Sequence, residues 1–233
     1  QIKPDNGNYL SIDLGINNLA ACYSNKTKES FILDGGQYLS ISRYFNKKIK
    51  HFQSILNSQD KQTSKRLKQL YQKRDRQIRH LIHSVTKKIV DYCIDHNINR
   101  VIVGNIKGIR DDKNIGKVNN QKLHQLPYEE IYHQLEYKLK LKGINLIKKN
   151  EDYTSQCSPY TKKVTKKYAQ GSNRKKRGLY VTENKTFNAD TVGAFNILRK
   201  YLYQRRKGPD INLKVEGLNN LIKYSWNRNQ FVA

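Results

Sequence analysis

The sequence predicts an α/β fold carrying a helical insertion and a small basic insertion. Three observations predict it. The stretch from Tyr9 to Asp34 reads as three short strands joined by tight turns. Residues 49 to 93 place apolar side chains at helical spacing. Two short apolar runs, Arg100–Gly104 and Ile144–Ile147, then flank a helix that Pro127 opens, and a last helix starts at Asn188.

In the first strand, Leu10, Ile12 and Leu14 alternate with Tyr9, Ser11 and Asp13. Gly15 permits a turn, and Leu19 to Tyr23 reads as the antiparallel partner. A carboxylate at the end of a strand, where Asp13 stands, can hold a metal or ligand outside the strand ends. It can equally start a hairpin turn, and this stretch does not decide between the two. Glu29 to Asp34 forms a third strand, ended by Gly35 and Gly36.

The helical region has a first stripe of Ile49, Phe52, Ile55 and Leu56, and a break at residues 57–60. Leu67, Leu70, Ile78, Leu81, Ile82, Val85 and Ile89 continue it. Its other face carries Lys65, Arg66, Lys68, Lys73, Arg74, Arg76, Arg79, Lys87 and Lys88, with only Asp75 and Asp91 against them. A solvated face is the alternative, but such faces interleave both signs to gain pairs one turn apart. The pattern favours a helical hairpin facing nucleic acid. His51, His80, His83 and His96 belong to helix surfaces rather than to a metal site.

Val101 to Gly104 is β-branched and short, as a buried strand is. The helix after Pro127 has Glu129 and Glu130 in its first turn, Lys138, Lys140 and Lys142 in its last, and Gly143 beyond it. Residues 156–187 change character: Lys162, Lys163, Lys166, Lys167, Arg174, Lys175, Lys176 and Arg177 are interleaved with Tyr160, Tyr168 and Tyr180. Such lysines and arginines neutralise phosphates while tyrosines stack on bases; a disordered basic loop is the alternative. Asn188 is a good N-cap for the last helix, and Asp190 lies in its first turn. Residues 204–233 read as a basic, irregular tail with no assigned function.

The 233 residues carry 45 Lys and Arg against 19 Asp and Glu, a formal net charge of +26. With a mean hydropathy of −0.86, this excess points to a polyanionic partner, nucleic acid rather than a membrane. No run spans a bilayer and no signal peptide is visible. Three distant cysteines, Cys22, Cys93 and Cys157, offer no disulfide framework and no zinc pattern, which suits a reducing cytoplasm. The chain begins at Gln1 and contains no methionine, so the expectation is the C-terminal part of a longer protein.

The order strand, strand, strand, helices, strand, helix, strand, insertion, helix resembles the RNase H-like fold of RuvC-type nucleases. In that fold the sheet is mixed, the strand order is 3-2-1-4-5, and strands 1, 4 and 5 are parallel. Here those are 9–14, 100–104 and 144–149. Their C-terminal ends share an edge, where Asp13 and Glu151 would meet, with Asp190 brought beside them. Three such carboxylates suit two-metal phosphodiester hydrolysis.

Three segments carry a closer resemblance: Asp13-Leu14-Gly15-Ile16-Asn17-Asn18-Leu19-Ala20, Tyr153-Thr154-Ser155, and Asn188-Ala189-Asp190-Thr191-Val192-Gly193-Ala194-Phe195-Asn196-Ile197-Leu198-Arg199. They resemble the RuvC motifs of the TnpB family, transposon-encoded RNA-guided DNA endonucleases related to type V CRISPR effectors. The resemblance spans most of residues 8–203. It implies a split nuclease domain over 8–155 and 188–203, a helical insertion at about 40–97, and a target-nucleic-acid-binding insertion at 156–187. It also implies guide RNA and target DNA as partners, two Mg²⁺ ions held by the catalytic Asp13, Glu151 and Asp190, and a prokaryotic cytoplasm at the nucleoid.

The chain departs from the family pattern in three places. The usual Glu at the end of the fourth strand is missing, and Val103-Gly104-Asn105 stands there. A subset of the family has instead a Glu before Tyr-Thr-Ser, as Glu151 is here; Asp111, Asp112 and Asp152 are weaker substitutes. The zinc-binding cysteines are missing, Cys157 standing alone in 156–187, so no zinc is expected. The upstream wedge and recognition modules are absent from this sequence. A nuclease-dead guided DNA-binding protein or repressor is therefore the second reading. The presence of both Asp13 and Asp190 argues against it. A general RNA-binding protein has only the charge in its favour.

Overall fold

The computed structural model describes residues 1–105, 127–174, 178–182, 185–204 and 213–233. The polar loop expected through Asn120, with Asp111 and Asp112, lies outside the described residues, as do Lys175, Lys176 and Arg177. The strands β1 (Tyr9–Leu14), β2 (Asn18–Ser24) and β3 (Glu29–Asp34) form an antiparallel meander. Two long helices follow, α1 (Gly36–Asn57) and α2 (Lys65–Asp95). Then come β4 (Arg100–Asn105), α3 (Tyr128–Leu141), β5 (Asn145–Asn150), the basic insertion with β6 (Leu179–Val181) and β7 (Thr186–Asn188), and α4 (Ala189–Gln204).

The central sheet is mixed, in the order β5-β4-β1-β2-β3 with β8 (Leu221–Asn227) and β9 (Gln230–Val232) beyond β3. Strand β4 lies parallel between β1 and β5, so the expected order of the first five strands and the three parallel members are present. Alternation along each strand sorts side chains onto two faces. On one face Leu10, Ile12, Phe31, Leu33, Val101 and Val103 pack under α1, α2 and α3. Helix α2 meets them with Ile78, Leu81, Ile82, Val85 and Ile89, one stripe of a 3.6-residue period. Its N-terminus is fixed by Ser64, whose Oγ accepts from the Leu67 amide at 3.1 Å.

On the other face Tyr9, Tyr23 and Ile102 meet α4 through Ala194, Phe195, Ile197, Leu198 and Tyr201. Tyr23 stands edge-on to Phe195 with centroids 4.8 Å apart, and Tyr9 to Tyr201 at 5.8 Å. Each such buried ring contributes about 1.5–3 kcal/mol over its exposed state. Asn188 caps α4 as expected: its Oδ1 accepts from the Asp190 amide at 2.9 Å and the Thr191 amide at 3.2 Å.

The segment expected as an irregular tail is not a tail. β8 (Leu221–Asn227) runs parallel to β3, and β9 (Gln230–Val232) pairs back on β8. Ile222, Tyr224 and Trp226 alternate with Lys223, Ser225 and Asn227, and the first set packs on the α2 side of the core. Trp226 and Phe231 rings are 5.2 Å apart, and Lys88 of α2 sits 4.3 Å over Tyr224. This period-2 signal is short and interrupted by charge, and its partner β3 lies almost two hundred residues upstream.

Among the described residues the basic insertion has no separate apolar cluster, in keeping with its sparse apolar residues. Tyr180 and Phe187 join the core beside α4. Two side chains of α4 grip its first loop. Asn196 Nδ2 donates to the carbonyls of Thr154 and Cys157, both at 2.8 Å. Arg199 donates to the carbonyls of Ser158, at 3.0 Å, and Thr161.

Candidate active site

Asp13 sits one residue before the end of β1, on the α4 face of the sheet with Tyr9 and Ser11. The parallel register pairs Ile12 with Val103, so Asp13 falls beside Gly104 at the end of β4. Strand β5 then pairs Gly104 with Lys149 and Asn105 with Asn150. Glu151 follows at once, at the same C-terminal edge, and its carboxylate turns back over Gly104. Its Cδ and Cγ lie 2.5 and 2.7 Å from where a Cβ on residue 104 would stand. Asp13 meets α4 at Gly193: the Asp13 Cγ lies 3.2 Å from the place of a Cβ there. Asp190 is three residues before Gly193, on the same helical face.

The carboxylates perturb one another. Burial, then the charge of Glu151, then that of Asp190 push the Asp13 carboxyl well above the usual range, with Arg174 opposing. Burial, then Asp152, push Glu151 up to about 7, with Lys200 opposing. Two acids that resist ionisation side by side call for a proton or a cation between them. Glu151 Oε1 is buried without a hydrogen-bond partner. A buried carboxylate oxygen without a donor is one that a hard cation could take.

Asp190 is engaged elsewhere. Asn18 Nδ2 donates to its Oδ2 at 2.7 Å, and Arg174 Nη2 pairs with its Oδ1 at 3.3 Å. Among the described residues no three acidic, histidine or cysteine side chains are grouped so as to cage a metal ion. The close pair is Asp13 and Glu151, with Asp190 held one step away. Sequence reasoning misses Asn18 and Lys200. Asn18 lies within the first motif, and Lys200 one turn beyond Asn196, so only the fold shows their roles. Lys200 Nζ reaches the Asp152 carbonyl at 3.2 Å and its carboxylate at 3.3 Å.

The two basic groups lie on opposite sides of the sheet. Lys73, Arg76 and Arg79 are exposed on α2, across the sheet from the acids. Arg74 is half-buried, paired with Asp75 at 3.0 Å and stacked over Tyr71. Lys162, Lys163, Lys166 and Lys167 are exposed on the insertion, on the α4 side; Lys163 lies 4.6 Å over Tyr203. Arg174, also of the insertion, touches the acidic site itself. Cys157 is buried, its Sγ directed at the Thr165 carbonyl at 3.5 Å.

Residues 1–110 match a family model described as a probable transposase, OrfB of IS605, and residues 128–197 match one described as a Cas12f1-like TNB domain. Over these two stretches the chain is similar to that transposase family and to Cas12f1-like proteins. A cryo-EM structure of a Cas12f1–sgRNA–target DNA complex superposes on this chain with a TM-score of 0.63 at 23% identity. That match covers 84% of this chain and 51% of the other. A CRISPR-Cas12f ternary complex gives 0.60 at 23% identity, covering 92% and 41%. The chain thus spans about half the length, or less, of the chains it superposes on. No curated protein matches it in sequence. Among the described residues no helix is long and apolar enough to cross a membrane.

Proposed function

We propose that this chain is the RuvC-like, RNase H-fold nuclease portion of a transposon-associated, RNA-guided DNA endonuclease that hydrolyses DNA phosphodiesters. One observation carries the proposal: Asp13 and Glu151, both half-buried, lie close enough to perturb Asp13 at the shared C-terminal edge of three parallel strands, and Glu151 Oε1 has no hydrogen-bond partner. The strand order and the likeness in fold to Cas12f structures support it. These oxygens fit Mg²⁺, a hard cation that takes carboxylates and keeps several waters. Asp13 and Glu151 would hold it, with Asp190 completing the set. Bound there, a pair of Mg²⁺ ions would activate water and stabilise the leaving oxygen.

The remaining work falls to the protein. Lys162, Lys163, Lys166 and Lys167 line the acidic side of the sheet and would hold target DNA by its phosphates. Arg174 bridges the insertion and the acidic edge, so that strand binding and the carboxylates share one residue. The exposed face of α2, across the sheet, is open to a second nucleic-acid segment such as the guide RNA. A prokaryotic cytoplasm is the compartment that these partners imply.

The second reading is a guided binder that does not cut, and the Arg174–Asp190 pair favours it, since that pair occupies an Asp190 oxygen that a metal ion would need. The test uses the full-length protein assembled with its guide RNA. Target DNA is incubated with Mg²⁺ or with chelator, for the native protein and for Asp13→Ala, Glu151→Ala and Asp190→Ala. Each variant should lose cleavage while keeping guided binding. Undiminished cleavage by Glu151→Ala would overturn the proposal.

A further inference from the structure

We infer that Gly104 and Gly193 are positioning residues: the side chains they lack leave the two volumes that the carboxyl groups of Glu151 and Asp13 occupy. The inference rests on reading Asp13 and Glu151 as the metal-holding pair, and deepens it.

The distances carry the argument. Around the place of a Cβ on Gly104, the three nearest heavy atoms are Oε1, Cδ and Cγ of Glu151, all within 2.7 Å. Around that place on Gly193, they are Oδ2, Cγ and Cβ of Asp13, the Cγ at 3.2 Å and the Oδ2 nearer still. Cβ atoms essentially never stand within 3.0 Å of another heavy atom, and the Glu151 carboxyl at Gly104 and the Asp13 Oδ2 at Gly193 are nearer than that, so an alanine at either position and the carboxylate in its present place exclude each other. Neither glycine has a positive φ. Conformational freedom therefore does not explain them. Each also weakens its own element, since glycine lowers the stability of a strand interior and of a helix interior. What the two positions have in common is a carboxylate filling the vacated space.

The consequence for the displaced acid is specific. The end of β4 has room for one carboxyl group, reached either from residue 104 or from Glu151 on the neighbouring strand. The glycine is what lets Glu151 fold back over β4 rather than point to solvent. On α4, Gly193 lets the helix settle against β1 with Asp13 beneath it, in register with Asp190 one turn earlier.

The test is a pair of double-variant cycles on the full chain, with two readouts. Thermal unfolding in chelator reads the steric exclusion without any metal. Calorimetric titration with Mn²⁺ reads the ion site. Gly193→Ala alone should lower or hold Tm and weaken Mn²⁺ binding tenfold or more. In the Asp13→Ala background the same substitution should raise Tm by about 2–4 °C, the ordinary gain from replacing a helix-interior glycine at this chain length. Likewise Gly104→Ala should lower Tm and Mn²⁺ affinity in the native chain, and change neither in Glu151→Ala. Equal effects in both backgrounds would overturn the inference. So would native-like Mn²⁺ binding by both glycine variants. Should the reversal in Tm occur while the native chain binds no Mn²⁺, the positioning role stands and the metal-centre reading falls.

Discussion

Replacing Glu151 with Gln removes a charge that the fold holds out of water, and the metal-free protein should become more stable for it. Burial, then Asp152, raise this carboxyl from 4.5 to about 7. At roughly 1.4 kcal/mol per pH unit, that rise corresponds to about 3 kcal/mol, a ceiling. The folded chain keeps the proton up to near pH 7, whereas the unfolded chain releases it near 4.5. The folded state therefore binds more protons across that window, and its stability falls as pH rises through it. The Gln variant lacks this loss. The difference in Tm between variant and native chain should vanish below pH 4.5 and grow to a plateau above pH 7. At about 2–4 °C per kcal/mol for a chain of this length, the plateau is roughly 6–12 °C. Melts followed by circular dichroism in chelator from about pH 4.5 to about 8.5 measure it. The net charge of +26 acts on both proteins alike and cancels in the difference. An offset that is constant with pH, or a variant less stable at the alkaline end, would refute the reasoning. On the proposed metal site, saturating Mg²⁺ should narrow the offset, because a bound ion would compensate the charge that Gln removes.

Phe231→Ala should cost about 3–5 kcal/mol, the usual loss for a buried phenylalanine; the chain's single tryptophan, Trp226, packs against it, so a red-shifted emission and an earlier urea midpoint would report the loosened β8–β9 pair. Arg199→Ala should leave the Ser158 and Thr161 carbonyls without their donor, at about 1–3 kcal/mol each where buried; limited proteolysis should then cut residues 156–174 faster than the sheet. Changing Lys162, Lys163, Lys166 and Lys167 together to Gln should leave Tm unaltered, since all four are exposed. It should also flatten the log–log salt dependence of single-stranded DNA binding by about 0.7 for each phosphate no longer neutralised; an unchanged slope would move the DNA path off the insertion.

The elements that build the edge of the sheet are legible in the sequence because their signals are local. Alternation in Tyr9–Leu14, the Pro127 start of α3 and the Asn188 cap each depend on neighbours a few residues away. The meeting of Asp13 with Glu151 is legible only through strand order, since a carboxylate at a strand end acquires meaning from the strands beside it. The parts that escape are those set by distant packing. Ile222, Tyr224 and Trp226 alternate as a strand should, but nothing near them names β3 as the partner. Nor does the sequence mark Gly104 and Gly193, because a glycine chosen for the space it leaves looks like one chosen for a turn. In the sequence Arg174 is one more basic residue of the insertion; its pairing with Asp190 comes only with the fold.

The way α4 covers β1 also orders events during synthesis. Tyr9 and Tyr23 emerge early, yet their cover, from Ala194 to Tyr201, follows much later; Asn18 and Asp190 are 172 residues apart. At about 5–20 residues per second, that gap is on the order of ten to thirty seconds of translation. Once α1 and α2 are made, the β1–β3 meander has one face sheltered by them and the other bare until α4 follows. The acidic edge is likewise unfinished until α4 docks, because Asp190 and the Gly193 that Asp13 lies against arrive only with that helix.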